Sequence, residues 1–248
     1  MSEYLMRDDA PLTDEEWGRL DNVVVSTARQ LLVGRRMVEL AGPYGAGLEV
    51  VPVGHGDERE YIKLHVIKAD FMLLWREIQA SRKAGIGLEL GRAAQAAVAC
   101  AREEDEMIFS GLLDAASKSV ETGDWSDEDT PLMDVIKATE LLYSEGFVGP
   151  YAVVLSSDLY INTQRRVRGM GRLVSDLIEN VAKGGLYRTP LLEEGQGMVL
   201  SLGAHNFDLV VGQDLITAYQ GNENLDHSFR VLETVALRIK QPGAICTL

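Results

Sequence analysis

Apolar residues recur along the chain in two rhythms, one helical and one alternating. The helical rhythm begins at Thr13, which forms a capping box with Glu16 three residues on, while Leu12 and Trp17 stand at the two positions of a hydrophobic staple. Trp17, Leu20, Val24, Ala28 and Leu31 follow as one stripe that stops near Gly34, so an amphipathic helix is expected here. Val23, Val25 and Leu32 fall off that stripe, and the helix is more apolar around its circumference than a surface helix requires. Two readings remain open: a helix wedged between packed layers, or one that keeps a second face for a partner. Between Gly42 and Gly56, turn formers bracket the apolar run 48–53, which reads as loop, strand, loop. Residues 61–74 alternate in part, through Ile62, Leu64, Val66 and the run from Phe71, and suit one arm of an extended ribbon.

Residues 81–87 read as a linker and 88–118 as one long, alanine-rich, proline-free helix, a spine for other layers. Thr130 and Pro131 open another helix, with Thr130 as cap and Pro131 at the first helical position; Leu132, Val135, Ile136 and Leu142 form its stripe, which closes at Gly146. Residues 151–155 read as a buried strand, with helices expected over 158–165 and 171–182. From Met198 the rhythm turns to strands, over 198–202, 207–211, 215–219 and 229–239, before an apolar end at 244–248. Helices in the middle and strands at the end predict an α+β fold.

Charge and composition narrow the class. Against 38 Asp and Glu stand 24 Lys and Arg, a net charge of −14, which argues against a nucleic-acid surface. With 248 residues, 46% hydrophobic and 25% charged, the chain can bury a substantial core. Cys100 and Cys246 cannot form a disulfide framework and are expected to be reduced and structural. No run approaches the roughly 18 apolar residues of a membrane helix. The first residues lack a targeting pattern, so a cytoplasmic protein is expected. Acids crowd into 101–130, where only Arg102 and Lys118 oppose them.

Candidate chemistry is sparse. Gly85, Gly87 and Gly91 miss the spacing of a dinucleotide fingerprint, and no phosphate loop, nucleophile elbow or zinc motif is present. His55, His65, His205 and His227 are dispersed and read as solvated or structural. Glu103, Glu104, Asp105 and Glu106 point in four directions around a helix and cannot all meet one metal ion; one or two suit a salt bridge and the rest a solvated face. No catalytic and no metal-ligating residue is assigned. Trp75 is the one aromatic whose face could stack on a planar cofactor, against a default of simple packing.

A set of short segments runs in order along nearly the whole chain: Ala10-Pro11-Leu12-Thr13 before Trp17, Gly34-Arg35-Arg36, Gly42-Pro43-Tyr44-Gly45, Leu74-Trp75 and Glu104-Asp105-Glu106 before Ile108-Phe109. It continues through Gly149-Pro150-Tyr151, Gly212-Gln213-Asp214-Leu215 and Pro242-Gly243-Ala244. Together they resemble the encapsulins, shell proteins related to the major capsid proteins of tailed phages. The resemblance implies a phage-capsid fold divided into an N-terminal cargo-side helix (1–41), an E-loop region (42–74), a P-domain with the spine helix (75–148), an A-domain (149–202) and strands returning to both (203–248). The region between Pro43 and Trp75 is short for the family, and an acidic stretch from Asp114 to Asp127 replaces a glycine-leucine turn.

By the same resemblance the protein is a structural shell and not an enzyme, closing into an icosahedral particle, T=1 with on the order of 60 copies. Cargo, such as a ferritin-like protein or a dye-decolourising peroxidase, would dock by a C-terminal peptide on Val25, Leu32, Arg35, Glu39, Leu215 and Ile216. Lys183, Gly184 and Gly185 would form a turn lining a pore. No cofactor is required; Trp75 with Lys68 would be the site for a flavin. The alternative reading is a phage or prophage capsid protein that packages DNA.

Overall fold

The computed structural model describes residues 3–54 and 59–248. Helix α1 (Asp14–Leu31) leads to the short strand β1 (Glu39–Ala41), followed by β2 (Val50–Val53), β3 (Glu60–Lys63) and β4 (His65–Leu73). Then come α2 (Trp75–Ala84), the long α3 (Gly91–Ala115), β5 (Lys118–Ser119) and α4 (Thr130–Ser144). The second half contains β6 (Tyr151–Leu155), α5 (Ser157–Thr163), α6 (Val174–Ala182), β7 (Lys183–Arg188) and β8 (Gly197–Ser201). It ends with β9 (Phe207–Glu223), β10 (Asp226–Ile239) and β11 (Ile245–Thr247).

The strands make three sheets, in the orders β1-β9-β10-β4, β5-β11-β8-β6-β7 and β2-β3. The long β9–β10 hairpin dominates the first and turns at Asn224-Leu225, both at positive φ, as a two-residue hairpin with right-handed strand twist demands. α1 and α3 cover one face of this sheet. Trp17 meets Phe229 edge-on at 5.7 Å, and Phe71 stacks on Phe229 at 5.4 Å, so one aromatic cluster joins α1, β4 and β10. A second core forms around β6 and β8, where Val135, Leu142, Val153, Ile178 and Val199 are fully buried.

The expected α+β character and most elements are present, with corrections. The capping box at Thr13 is formed, Thr13 N–H donating to Glu16 at 2.8 Å. The α1 stripe closes on Leu32 (7% exposed) and not on Leu31 (44%), because the chain leaves helical geometry at Leu32 and swings that side chain inward. Half of the expected linker 81–87 belongs to α2, a helix the apolar pattern hides because only Ile78 on it is buried. The spine is shorter than 88–118, and α4 begins at Thr130, one residue before the expected start, with Thr130 bonded to Asp127 and not capping. Strand expectations over 207–211 and 215–219 fuse into one strand interrupted by a bulge. His55 lies outside the described residues. No helix of the described residues is long and apolar enough to cross a membrane.

Candidate functional site

The turn after α1 is clamped onto the spine helix. Asp105 accepts the backbone N–H groups of Val33 and Gly34, each at 2.8 Å, and a side chain on Gly34 would meet Ile108 at 2.7 Å, so only glycine allows this approach. Arg35 is thereby aimed at a group of acids. Its Nε donates to Glu104 at 2.8 Å, Nη2 to Glu104 at 2.6 Å and to Glu233 at 2.7 Å, and Nη1 to Asp214 at 2.7 Å. Glu104 on α3 and Glu233 on β10 are 0% and 1% exposed.

Asp214 reaches this cluster because of the bulge. Between the pairs Leu232↔Ile216 and Thr234↔Gln213, β9 carries one residue more than β10. The Gln213 N–H turns to the Thr234 hydroxyl at 2.7 Å, and the absence of a side chain on Gly212, where a Cβ would sit 2.5 Å from that hydroxyl, admits the contact. The extra residue sends Asp214 to Arg35 and Leu215 beside α1.

Burial opposes the Arg35 charge, but its carboxylate partners outweigh it and hold the guanidinium firmly protonated. Burial, reinforced by the neighbouring Glu104, pushes the Glu233 carboxyl up to about 9 against the pull of Arg35. Burial also raises Asp105, to about 6, against its two backbone donors.

Beside the cluster lies a cavity of about 370 Å³, lined by Val25 and Ala28 of α1, Leu32 just after it, Leu40 of β1 and Leu215 of β9, together with Arg29 and Arg36. Val25, Leu40 and these two arginines are exposed. An apolar trough with a few fixed polar groups at its edge suits a short extended peptide with aliphatic side chains.

Of the six residues expected to hold a peptide, Val25, Leu32, Arg35 and Leu215 line this cavity. Glu39 does not line this cavity but an adjoining hollow with Pro150, Leu202 and His205, which shares Arg35, Arg36 and Leu40 with it. Ile216 is paired with Leu232 and alternates away from Leu215. Arg35 lines the cavity with most of its N–H groups turned to Glu104, Glu233 and Asp214, which leaves one Nη1 hydrogen outside these bonds. Sequence reasoning missed Asp214, Glu104 and Glu233. Two signals were present: Glu233 is the lone acid inside an apolar strand, and Glu104 stands four residues from both Cys100 and Ile108 on the buried stripe of α3. The expectation that one or two of the four acids are paired and the rest solvated is met: Glu104 pairs with Arg35 and Asp105 is bonded to the turn, while Glu103 and Glu106 are exposed.

The other expected sites fare differently. Lys183, Gly184 and Gly185 turn the chain from α6 into β7, with Lys183 and Gly185 at positive φ, and pair with β6 at Tyr151, where a Cβ on Gly184 would sit 2.5 Å from the Tyr151 carbonyl oxygen. The exposed connection in this half is 165–172, where Arg168 pairs with Glu128 at 3.0 Å and Arg165 donates to the carbonyls of Trp125 and Ser126. Lys68 and Trp75 do not come together. Lys68 lies mid-strand on β4, on the order of 20 Å along the chain direction from Trp75. The Arg76 guanidinium stands 5.5 Å from the Trp75 ring centre. The pair therefore does not fit a flavin within one subunit. Among the described residues no group of three or more His, Cys, Asp or Glu is placed to hold a metal ion.

Comparison with known proteins bears on what this arrangement serves. A family model described as an encapsulating protein for peroxidase matches residues 1–236. The type 1 encapsulin shell protein EncA of Myxococcus xanthus is 38% identical over all of this chain and 97% of its own length. A diheme-cytochrome-encapsulin shell fusion protein of Kuenenia stuttgartiensis is 33% identical over 96% of this chain and 73% of its own. Among solved structures, a virus-like particle from Pyrococcus furiosus superposes with a TM-score of 0.81 at 19% identity, covering 95% of this chain and 98% of that one.

Proposed function

The chain belongs to the encapsulin family of shell proteins, and from that membership we propose that it closes into a T=1 icosahedral particle of roughly 60 copies. That particle captures cargo enzymes by a C-terminal tail seated in the cavity between α1 and the β9 bulge. The capsid-type fold is common to shells and phages; identity to EncA along the entire chain supports the shell reading over a DNA-packaging capsid. The relatives' names point to redox cargo, in line with the peroxidase or ferritin-like protein expected from the sequence. In this reading the β2–β3 hairpin is the E-loop that reaches a neighbouring copy. The four-stranded sheet with α1 and α3 is the P-domain, and the five-stranded sheet is the A-domain.

The observation that carries the docking proposal is the cavity itself. Exposed Val25 and Leu40 and half-buried Leu215, from three separate elements, converge on it, and a single leucine or isoleucine of a tail seated there would gain about 1.5–3 kcal/mol. The test uses a fluorescent protein ending in a short leucine-rich tail, co-expressed with the shell. Particles of megadalton mass that carry fluorescence are expected, and Val25→Asp with Leu215→Asp should yield empty particles. These two positions are chosen because Leu32 also belongs to the core. Loading that survives both substitutions would move the docking site elsewhere, and a stable monomer in light scattering would overturn the shell.

A further inference from the structure

Three carboxylates converge on the single guanidinium of Arg35, and two of them are sealed from water. Glu104 and Glu233 each accept from the same Nη2, at 2.6 and 2.7 Å, so two carboxylates crowd one nitrogen. Two full negative charges there, with a third on Asp214, would face one positive charge in a medium that screens poorly. One proton resolves this. The buried pair then carries a single negative charge matched by Arg35, and the Nη1 N–H is free for Asp214.

We propose that the cavity wall is held by a proton kept on Glu233 beside Glu104 and Arg35, whose loss releases Asp214 and loosens the docking groove. This rests on the docking reading above. The groups facing Glu233 are Arg35 from the turn after α1, Glu104 and Cys100 from α3, and Asp214 from β9, while β4 presents the apolar Ile67 opposite it. Burial pushes the Cys100 thiol up to about 12, so it adds no charge. Of the three acids, Asp214 alone has access to water. When the second buried carboxyl ionises, Asp214 is the one that can leave, and the bulge that carries it also carries Leu215 into the cavity. The proton thus acts on the groove through Asp214, which makes Glu104 and Glu233 positioning residues.

The sign follows from linkage. Glu233 holds its proton in the folded chain and loses it in the unfolded one, so its contribution to stability is fully present below about pH 4.5 and declines as pH rises toward about 9. Over that window one retained proton changes the folding equilibrium about tenfold per pH unit.

The experiment compares assembled wild-type shell with Glu233→Gln, whose amide keeps the shape of the neutral acid. Thermal unfolding and affinity for the leucine-rich tail peptide are both followed from about pH 6 to about pH 10. The wild-type melting temperature should fall steadily over the range, and its tail affinity should drop about tenfold or more toward the alkaline end. Glu233→Gln should flatten both curves. Identical profiles in the two proteins would overturn the proposal. If Glu233→Gln does not assemble, Glu104→Gln serves in its place. Should neither assemble, infrared spectroscopy of the wild type must show a protonated carboxyl band at neutral pH that is lost in alkali; no such band at neutral pH refutes the retained proton. A wild-type shell that binds no tail at any pH defeats the docking reading, while the unfolding curves still judge the proton.

Discussion

The β9–β10 hairpin carries two charge clusters, one midway along it and one at its open end, and the two have opposite stoichiometry. Near the bulge, one cation, Arg35, serves three acids. Near the start of β9, one acid, Asp208, serves two cations, Arg238 at 2.6 Å and Lys240 at 2.7 Å. At the first, burial and like charge keep a proton on the acids; at the second, Arg238 and Lys240 outweigh burial and hold Asp208 below the ordinary carboxylate range. Both clusters join the same two strands to their surroundings. Yet the acid-rich one answers to rising pH and borders the docking cavity, whereas the cation-rich one answers only to acid and borders nothing proposed to bind. The count of partners around a buried charge, more than the presence of a salt bridge, sets what the site can sense.

Removing an acid from each cluster is the strongest way to break this contrast. Glu104→Ala deletes the partner that shares most of Arg35 and also releases the turn after α1; it should cost about 3–5 kcal/mol in thermal or denaturant unfolding. Asp208→Asn leaves two cations that are partly solvated, 21% and 31% exposed, and should cost less, about 1.5–3 kcal/mol. Equal costs would mean that burial depth does not distinguish the clusters.

The pH profiles sharpen the comparison. Asp208 is depressed, so its stabilisation is present above the ordinary carboxylate value of 3.8 and is lost as pH falls through its lower folded value. Asp208→Asn should therefore flatten the acid limb of the melting curve. Asp105 is raised to about 6, so it contributes in the other direction: stability falls between about pH 4 and about pH 6, and Asp105→Asn should remove that decline. The smallest effect is expected away from both clusters. Thr13→Ala loses the cap of α1 and should cost about 1 kcal/mol at every pH, which makes it the control for substitutions that do not touch buried charge.

How far the sequence revealed these sites depends on how local their causes are. The cap at Thr13 and the α1 stripe were legible because every contact lies within a turn or two of helix. The convergence of Val25, Leu32, Arg35 and Leu215 was legible through the resemblance to the encapsulins. Glu39 and Ile216 were misplaced because a strand alternates, and the bulge fixes which of two neighbours faces the groove. That bulge is set by Thr234, 21 residues from Gln213, and no local pattern announces it. The charge clusters were hidden for a related reason: Arg35, Glu104, Asp214 and Glu233 are spread over most of the chain and meet only when α3 is laid across the hairpin. Lys183, Gly184 and Gly185 carried a turn signal that left unannounced the strand pairing in which Gly184 comes close to Tyr151.

The central claim is that the cavity between α1 and the β9 bulge receives a cargo tail inside a closed shell. Its most direct test is a density map of particles loaded with the tail-bearing fluorescent protein, averaged over the symmetry of the shell. The account predicts added density along Val25, Leu32, Leu40 and Leu215, with Asp214 still joined to Arg35. Loaded particles whose cavity is empty, with the tail resolved against another surface, would contradict it.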